Sequence, residues 1–263
     1  MTMRILIVNK FLYLRGGDCV HSLNLKQLLR NAGHDVCFYA MSYSQNIVCE
    51  ENKYFAEEIS FSAKDLQGKI KAASRIIWGI GVVQNFKKLL EEFQPDVVHL
   101  NNIHSYLSPI VAKLAYQRGV KVIWTLHDYK LICPSYSCLC KGNTCEACFT
   151  DKKHVVLRKC MKNSFPASIL AWGEAMNWNK NKLSLWTNSF ICPSQFMAEK
   201  MQQGGYPASK LQVISNFIGE EQVQYIINTP NPIREEAYAY IGRLSQEKGV
   251  ESLLKAASRL PYK

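Results

Sequence analysis

Several motifs that would assign a function at once are missing from this sequence of 263 residues. None of its six aspartates belongs to an Asp-x-Asp pair, which argues against a Mg²⁺ or Mn²⁺ ion held by carboxylates at a phosphate. The dinucleotide fingerprint G-x-G-x-x-G does not occur. We find no helix-turn-helix, RNP pattern or zinc finger of standard spacing, so we expect no nucleic-acid partner.

Long apolar runs are also missing, and none reaches the length of a membrane span. The apolar N-terminus is too short for a signal sequence, and Lys10 stands where a small-residue cleavage site would be needed. We interpret residues 4–8 as a buried first strand. We therefore expect a cytoplasmic protein, in which the ten cysteines are by default reduced thiols.

Acidic residues are scarce, with 21 Asp and Glu against 32 Lys and Arg, a net charge of +11. A solvated basic surface is one explanation, and the others are anionic lipid, nucleic acid or a phosphorylated substrate. Residues 64–88 mix six Lys and Arg with Ile and Trp and resemble a pair of basic amphipathic helices, broken at Gly79 and Gly81. Such helices can lie on an anionic membrane surface, which predicts peripheral association with the inner face of the membrane.

Short apolar runs alternate with helical patterns along most of the chain. The runs predict strands at residues 4–8, 35–40, 96–100, 120–126, 186–192 and 210–215, and the apolar periodicity predicts helices at residues 18–32, 106–118 and 194–203. This alternation indicates an α/β fold with a mostly parallel sheet that is covered by helices on both faces.

Three further segments differ from this pattern. Residues 127–166 form a long Cys-rich insertion, and a loop of that length in a compact domain is usually functional or ordered by something else. Residues 217–235 lose periodicity and resemble a linker. Residues 238–260 predict a strand, a tight turn and a helix, which is the beginning of a β-α unit that cannot bury its own apolar faces.

In an open α/β sheet, ligands bind beyond the carboxyl ends of the strands. This rule selects Gly16 and Gly17 after the first strand, where the alternative is a plain turn. It also selects His127, whose nitrogens could instead only satisfy loop carbonyls. Arg243 and Lys248 stand five apart around a turn and could converge on a diphosphate, or they could be solvated charges. The remaining candidates for substrate binding are His99, for which a structural role is the alternative, Asn102, His104 and Asp128.

Six of the ten cysteines lie within 28 residues. Cys145-x-x-Cys148 is a good half of a structural zinc site, and Cys138-x-Cys140 is a poor second half. Zinc held by these four cysteines, free thiols and a disulfide all remain open from the spacing.

Together these pieces resemble glycosyltransferase family 4, whose members have the GT-B fold. The resemblance covers essentially the whole chain. It is carried by the Gly16-Gly17 loop and, in the order of the family, by AGHDV at 32–36, PDVVHL at 95–100, SYLSP at 105–109, WTLHD at 124–128, SQFM at 194–197, VISN at 213–216 and YIGRLSQEKG at 240–249. The last piece is the most specific.

The resemblance implies two Rossmann-like domains across a cleft, with an acceptor-binding domain at residues 1–216 and the donor-binding domain starting at residue 236. Gly16 and Gly17 would lie against the donor phosphates or the transferred sugar, His127 would contact the sugar or the acceptor hydroxyl, and Arg243 and Lys248 would bind the diphosphate. The family implies a retaining transfer without a divalent metal, from a UDP- or GDP-sugar to a saccharide or lipid-linked acceptor in cell-surface polysaccharide synthesis.

The sequence departs from the family where the donor domain should continue, because further β-α units and a pair of glutamates for the donor are missing. We therefore expect a truncated second domain and little or no activity from residues 1–263. The alternative is a catalytically inactive domain that binds an acceptor or a partner.

Overall fold

A parallel sheet of six strands forms the centre of the molecule in the computed structural model, which describes residues 1–61, 65–230, 237, 239–245 and 248–260. The strands of this sheet are β1 (Arg4–Val8), β2 (Asp35–Tyr39), β3 (Val97–Leu100), β4 (Lys121–Thr125), β7 (Ser189–Cys192) and β8 (Leu211–Val213). Two short strands, β5 (Leu139–Cys140) and β6 (Asn143–Thr144), make a separate antiparallel hairpin in the insertion.

The strand order is β2-β1-β3-β4-β7-β8. The chain moves from β1 to β2 on one side and returns to place β3 on the other side of β1, with Val8 beside Leu100. The order of the strands thus reverses at β1 and β3. A crevice opens beyond the carboxyl ends of two such strands, and it is the usual ligand site of an open α/β sheet.

Helices alternate with these strands along most of the chain. They are α1 (Gly17–Asn31), α2 (Leu66–Trp78), α3 (Val83–Phe93), α4 (Ile110–Gln117), α5 (His154–Leu157), α6 (Phe165–Asn177), α7 (Lys180–Trp186), α8 (Gln195–Gln203), α9 (Glu220–Asn228) and α10 (Val250–Ala257). Side-chain caps fix several starts: Ser194 Oγ accepts a hydrogen bond from the Met197 amide at the start of α8, as predicted from its position. Within the described ranges, no helix has both the length and the apolar character needed to cross a membrane.

The α/β fold class and the six strands predicted between residues 4 and 215 are confirmed, with shifted ends. The largest shift is in the strand predicted at residues 186–192, where Trp186 instead closes α7 and the strand begins at Ser189. The helix predicted to start at residue 106 begins at Ile110. Ser105 and Ser108 have left-handed backbones, with φ of 65° and 70°, so the segment before Pro109 cannot be helical.

The basic segment is a helix pair, as predicted, and its break has a clear cause. Gly79 ends α2 with φ of 70°, and Gly81 follows with φ of 81°. The buried Arg75 donates to the carbonyls of Ile80, Glu57 and Tyr106 and so ties the junction to two neighbouring loops. Lys64 lies outside the described residues.

The structure bears on two predictions about the C-terminal segments. The predicted linker contains α9, whose first turn is held by Gln222 Oε1, which accepts from the Gly219 amide. The strand predicted before the final turn does not form at residues 239–241, because none of the described strands pairs with it. The helix predicted after the turn is present as α10. Residues 231–236, Tyr238, Gln246, Glu247 and residues 261–263 lie outside the described ranges.

Candidate functional site

The loops that leave β1 and β3 are joined to each other at the switch point of the sheet. The Asn102 amide donates to Asn9 Oδ1 at 3.1 Å, and the Lys10 amide donates to the Asn102 carbonyl at 3.0 Å. Asn9 is fully buried and Asn101 nearly so. These residues at the strand ends, Asn9, Lys10, Asn101 and Asn102, form a rim at this edge of the sheet. The Asn9 amide is held on both sides, since Oδ1 accepts from Asn102 and Nδ2 donates to the Phe11 carbonyl, whereas Asn101 Nδ2 has no hydrogen-bond partner among the described residues.

His127 follows β4 on the same rim. Its Nε2 lies 3.0 Å from Asn101 Oδ1, and its ring packs edge-on against His21 of α1, with 5.1 Å between ring centroids. Burial, followed by the nearby His21, lowers the pKa of His127 to about 4, although the Asp18 carboxylate acts in the opposite direction. The imidazole is therefore neutral near pH 7. With Asn101 Oδ1 as the acceptor, Nε2 carries the proton and Nδ1 is a free base.

The predicted glycines lie at the start of α1, but they do not act through a left-handed backbone. Gly16 has an extended backbone with φ of −163° and makes no side-chain cap. A Cβ at Gly17 would meet nothing within 4 Å. The two glycines thus leave the helix N-terminus uncovered, and an uncovered N-terminus attracts anions.

Lys10 and Asp18 bring opposite charges to this N-terminus. Their Nζ and Oδ2 atoms are 3.0 Å apart, and both side chains are largely buried. Burial acts to raise the pKa of Asp18, but the Lys10 ammonium outweighs it, so that the pKa lies below its ordinary value. Asp18 is therefore ionised near pH 7 and offsets the charge of Lys10.

His99 and His104 are neutral as well. His99 is buried with Nε2 2.8 Å from Thr125 Oγ1, and burial lowers its pKa to about 3. His104 stacks on Trp124, with ring centroids 5.3 Å apart, and burial holds its pKa well below the ordinary value. The position of His99 inside the sheet supports the structural alternative, whereas His104 faces a cavity.

That cavity has a volume of about 600 Å³ and lies beside the rim. Asn102, His104 and Asp128 from the predicted set line it together with Lys10. His127 lines a smaller cleft that shares these three predicted residues. Asp128 Oδ1 accepts from the Lys130 amide at 2.8 Å, and burial raises the pKa of Asp128. The structure therefore brings His127, Asn102, His104 and Asp128 to one place.

Arg243 and Lys248 are distant from this group in sequence, and neither lines the two cavities described above. Arg243 is exposed, its carbonyl accepts from the Tyr240 hydroxyl at 2.5 Å, and Lys248 comes just before α10. Their predicted convergence on a diphosphate stays a prediction.

The predicted zinc ligands do not form one cluster. Cys138 and Cys148 both contact Cys133, and the Cys140 thiol contacts Cys160 instead. The left-handed backbone of Cys138, with φ of 52°, interrupts the alternation that would place Cys138 and Cys140 on one face of the hairpin. Among the described residues, no group of three or more His, Cys, Asp or Glu is placed to hold a metal ion.

The model of Glycosyltransferase Family 4 matches residues 15–222, which is most of the chain. The chain belongs to glycosyltransferase family 4. This match includes the glycine loop, the β3 and β4 strand ends and the Cys-rich insertion.

Individual relatives of this family 4 chain are distant. An uncharacterized 42.6 kDa protein in the cps region of Klebsiella pneumoniae is 24% identical over 193 residues, covering 70% of this chain and 44% of the relative. An uncharacterized glycosyltransferase of Methanosarcina acetivorans is 36% identical over 107 residues, covering 37% of this chain and 28% of the relative. The chain thus spans less than half the length of these relatives.

The solved structure of HepE from Anabaena, in complex with UDP-glucose, has the same fold. Its TM-score is 0.53 at 15% identity, over 98% of this chain and 58% of HepE. At this identity the likeness shows the fold alone. It confirms the predicted Rossmann-like, GT-B type of architecture.

Some residues of the site were not predicted from the sequence. Asn9 directly follows the first strand, so the strand-end rule could have found it. His21 sits one turn into α1 and has a buried Nδ1 without a hydrogen-bond partner among the described residues. Lys130 and Glu174 come from the insertion and from α6, and no sequence signal joins two such distant positions.

Proposed function

We propose that the chain takes part in the transfer of a sugar from a nucleoside-diphosphate donor, a UDP- or GDP-sugar, to a saccharide or lipid-linked acceptor. The observation that carries this proposal is the neutral His127, which packs against His21 of α1 and lines a cleft that shares Asn102, His104 and Asp128 with a cavity of about 600 Å³. The N-terminus of α1 is itself uncovered. A neutral imidazole can accept a hydrogen bond from a hydroxyl, and a helix N-terminus can bind a phosphate. Membership in glycosyltransferase family 4 supports the same reaction.

Each part of the site has a role in this proposal. Gly16 and Gly17 let the donor approach the amides of α1, and His127 contacts the sugar or the acceptor hydroxyl. Arg243 and Lys248 supply fixed positive charge to the diphosphate that leaves, so that a retaining transfer needs no divalent metal. Residues 1–216 form the acceptor-binding domain, and residues 236–263 belong to the donor-binding domain.

The biological context of the proposal is the synthesis of a cell-surface polysaccharide on the cytoplasmic side of a membrane. The Klebsiella relative is described by its place in a cps region, which supports this context. Exposed apolar side chains on α2 and α6, together with the lysines of α2, support peripheral contact with an anionic membrane surface.

The test is release of nucleoside diphosphate by the protein from the complete reading frame that contains residues 1–263. A panel of UDP- and GDP-sugars is supplied in EDTA, and the configuration of the product is read by NMR. We expect one donor to be consumed and the anomeric configuration to be retained. Turnover that requires Mg²⁺ or Mn²⁺, or an inverted product, would refute the corresponding part of the proposal.

The second candidate is binding of an acceptor or partner without transfer. It is favoured by the cavity of about 600 Å³, whose lining residues include neither Arg243 nor Lys248. Acceptor binding without consumption of any donor in the panel would support this candidate.

A further inference from the structure

The cavity beside the rim has a second polar wall, which the roles above do not use. Glu174 of α6 and Lys130 of the insertion both line the cavity. Glu174 Oε2 lies 2.8 Å from Lys130 Nζ, and the two side chains are only 5% and 7% exposed. Lys130 Nζ also donates to the Pro134 carbonyl at 2.7 Å, so the ammonium is held from two sides.

The two oxygens of the Glu174 carboxylate differ. Oε2 is paired with Lys130, but Oε1 is buried and has no hydrogen-bond partner among the described residues. A buried carboxylate oxygen without a hydrogen-bond donor is costly, and such a group in a native protein calls for an explanation such as a functional role, an ordered water or an ion. If the Lys130–Glu174 ion pair served packing alone, hydrogen-bond donors to both carboxylate oxygens would make the folded state more stable.

The shape and lining of the cavity indicate the kind of ligand that could donate a hydrogen bond to Glu174 Oε1. Asn102, His104 and Asp128 stand on the rim side, and Ile76, Leu170 and Ala171 form an apolar wall along α2 and α6. Asn177 Nδ2 and Trp178 Nε1 bind the carbonyls of Ile77 and Ile76, which locks the two helices together. A volume of about 600 Å³ is typical of a site for a small ligand.

We propose that Glu174 is a specificity-determining residue of an acceptor site, where its Oε1 accepts a hydrogen bond from a sugar hydroxyl of an amphiphilic glycoside. The apolar aglycone of that glycoside lies along Ile76 and Leu170. Lys130 is a positioning residue, because it fixes Oε2 and so aims the carboxylate. This assignment rests on the proposed function for the existence of an acceptor, and it adds the acceptor class and the residue that recognises it.

The test is binding of octyl β-glucoside, octyl β-galactoside and octyl β-N-acetylglucosaminide, each below its micelle concentration, to the chain without any donor. We expect saturation-transfer NMR to show millimolar binding of at least one glycoside and weaker binding of the matching free sugar. The Glu174→Gln variant should bind that glycoside about 10- to 100-fold more weakly, the range for a hydrogen bond to a charged group. Glu199→Gln, at an exposed position of α8, is the matched control and should bind as wild type does.

A second variant guards against misfolding. Replacing the pair together, as Lys130→Met with Glu174→Leu, removes both buried charges and should leave a folded chain, as judged by circular dichroism. That double variant should also lose glycoside binding. Unchanged affinity in either variant, or no binding of any octyl glycoside by wild type, would overturn the assignment. Equal binding of the free sugar would overturn the part that concerns the aglycone.

The proposed function can fail separately from this assignment. If donor is consumed in the transfer assay but Glu174→Gln leaves the KM for the octyl glycoside unchanged, the assignment is wrong and the proposed transfer stands. If glycoside binding depends on Glu174 but no donor is ever consumed, the acceptor site stands and the proposed transfer is wrong.

Discussion

At the scale of single residues, the site has ionisable groups that are neutral, because they are buried, and others that are charged and paired with an opposite charge. His127 is neutral because it is buried beside another histidine, and Asn101 fixes its ring. Lys10 and Asp18 are charged but paired. Exposed charge must therefore come from another part of the chain if a diphosphate is to be stabilised as it leaves.

Arg243 is the predicted source of that charge. We expect Arg243→Ala to lower the rate of nucleoside-diphosphate release by at least about 10²-fold, as for loss of one preorganised charge stabiliser. The rate is measured with the protein from the complete reading frame and its preferred donor in EDTA. Arg118→Ala, at the end of α4, removes a surface arginine paired with Glu91 and should leave the rate unchanged. A rate in Arg243→Ala that equals wild type would refute the assignment.

The positions of candidate residues could be predicted only where they follow a strand. His127, Asn102, His104 and Asp128 follow strands, and the structure places them close together, whereas their roles stay predictions. The same rule placed Gly16 and Gly17 at the start of α1, but it did not reveal that Gly16 has an extended backbone and that the space beside Gly17 is open. Their contact with a donor stays a prediction. Glu174 was not predictable, since its site exists only after α6 packs against α2.

At the scale of elements, the junction of α2 and α4 depends on Gly79. A Cβ at this position would lie 2.4 Å from Ile110 Cγ2, and the backbone is left-handed. Gly79→Ala should therefore reduce the free energy of unfolding by roughly 3 kcal/mol, from overpacking and backbone strain together.

Gly119 provides the matched control for this change. Its φ is 72°, nearly the same as that of Gly79, but a Cβ there would meet nothing within 4 Å. Gly119→Ala should cost only about 1 kcal/mol, from the backbone alone. Urea denaturation measures both, and equal costs for the two variants would show that the contact with Ile110 is not what limits Gly79.

The packed helices α2 and α6 present the proposed membrane face. Ile70 is 58% exposed on α2 and Met176 is 51% exposed on α6. We expect Ile70→Glu and Met176→Glu each to weaken binding to phosphatidylglycerol vesicles by at least about fivefold, because a charge replaces apolar surface that would be buried in the interface. Vesicle flotation measures the bound fraction, which should also fall as salt is raised.

Leu28→Glu is the control for this face, because Leu28 is 52% exposed on α1. An equal loss of binding in that variant would mean that net charge alone drives association. No binding of wild type to anionic vesicles would refute the membrane proposal. The sequence predicted the α2 half of this face from its periodicity, but the α6 half depends on tertiary packing.

At the scale of the whole molecule, the free energy of unfolding should depend on pH through two buried histidines, His99 and His127. Burial lowers the folded-state pKa of His99 to about 3 and that of His127 to about 4, whereas an unfolded histidine has its ordinary value. Between these values the unfolded chain binds more protons, so the free energy of unfolding falls as pH falls below about 6.5. Each of the two should contribute on the order of 2 kcal/mol of loss between pH 7 and pH 5.

Thermal unfolding from pH 7 to pH 5 measures this loss. His99→Gln should flatten the curve, and His154→Gln, in the short helix α5 of the insertion, is the control that should not. Asp128, whose pKa is raised by burial, acts in the opposite direction. A melting temperature that does not fall on acidification would contradict the buried, neutral state of these histidines.

The central sheet of the fold could be predicted from the sequence, but two features of the C-terminal segments could not. Apolar strand runs are buried on both faces of a parallel sheet, so β1 to β4 were visible in the sequence. The C-terminal strand was not formed at residues 239–241, since pairing requires a neighbouring strand that no local pattern supplies. The helix α9 was missed because its start is signalled by Gln222, a polar cap in a polar segment.

The central claim is that His127, held neutral at the switch point of the sheet, lies at the reacting atoms of a sugar transfer. The most direct measurement is nucleoside-diphosphate release in EDTA by His127→Ala, compared with wild type and with His99→Gln, in the protein from the complete reading frame. The account predicts a fall of at least about 10²-fold for His127→Ala and a rate near that of wild type for His99→Gln. Equal rates for wild type and His127→Ala would contradict it.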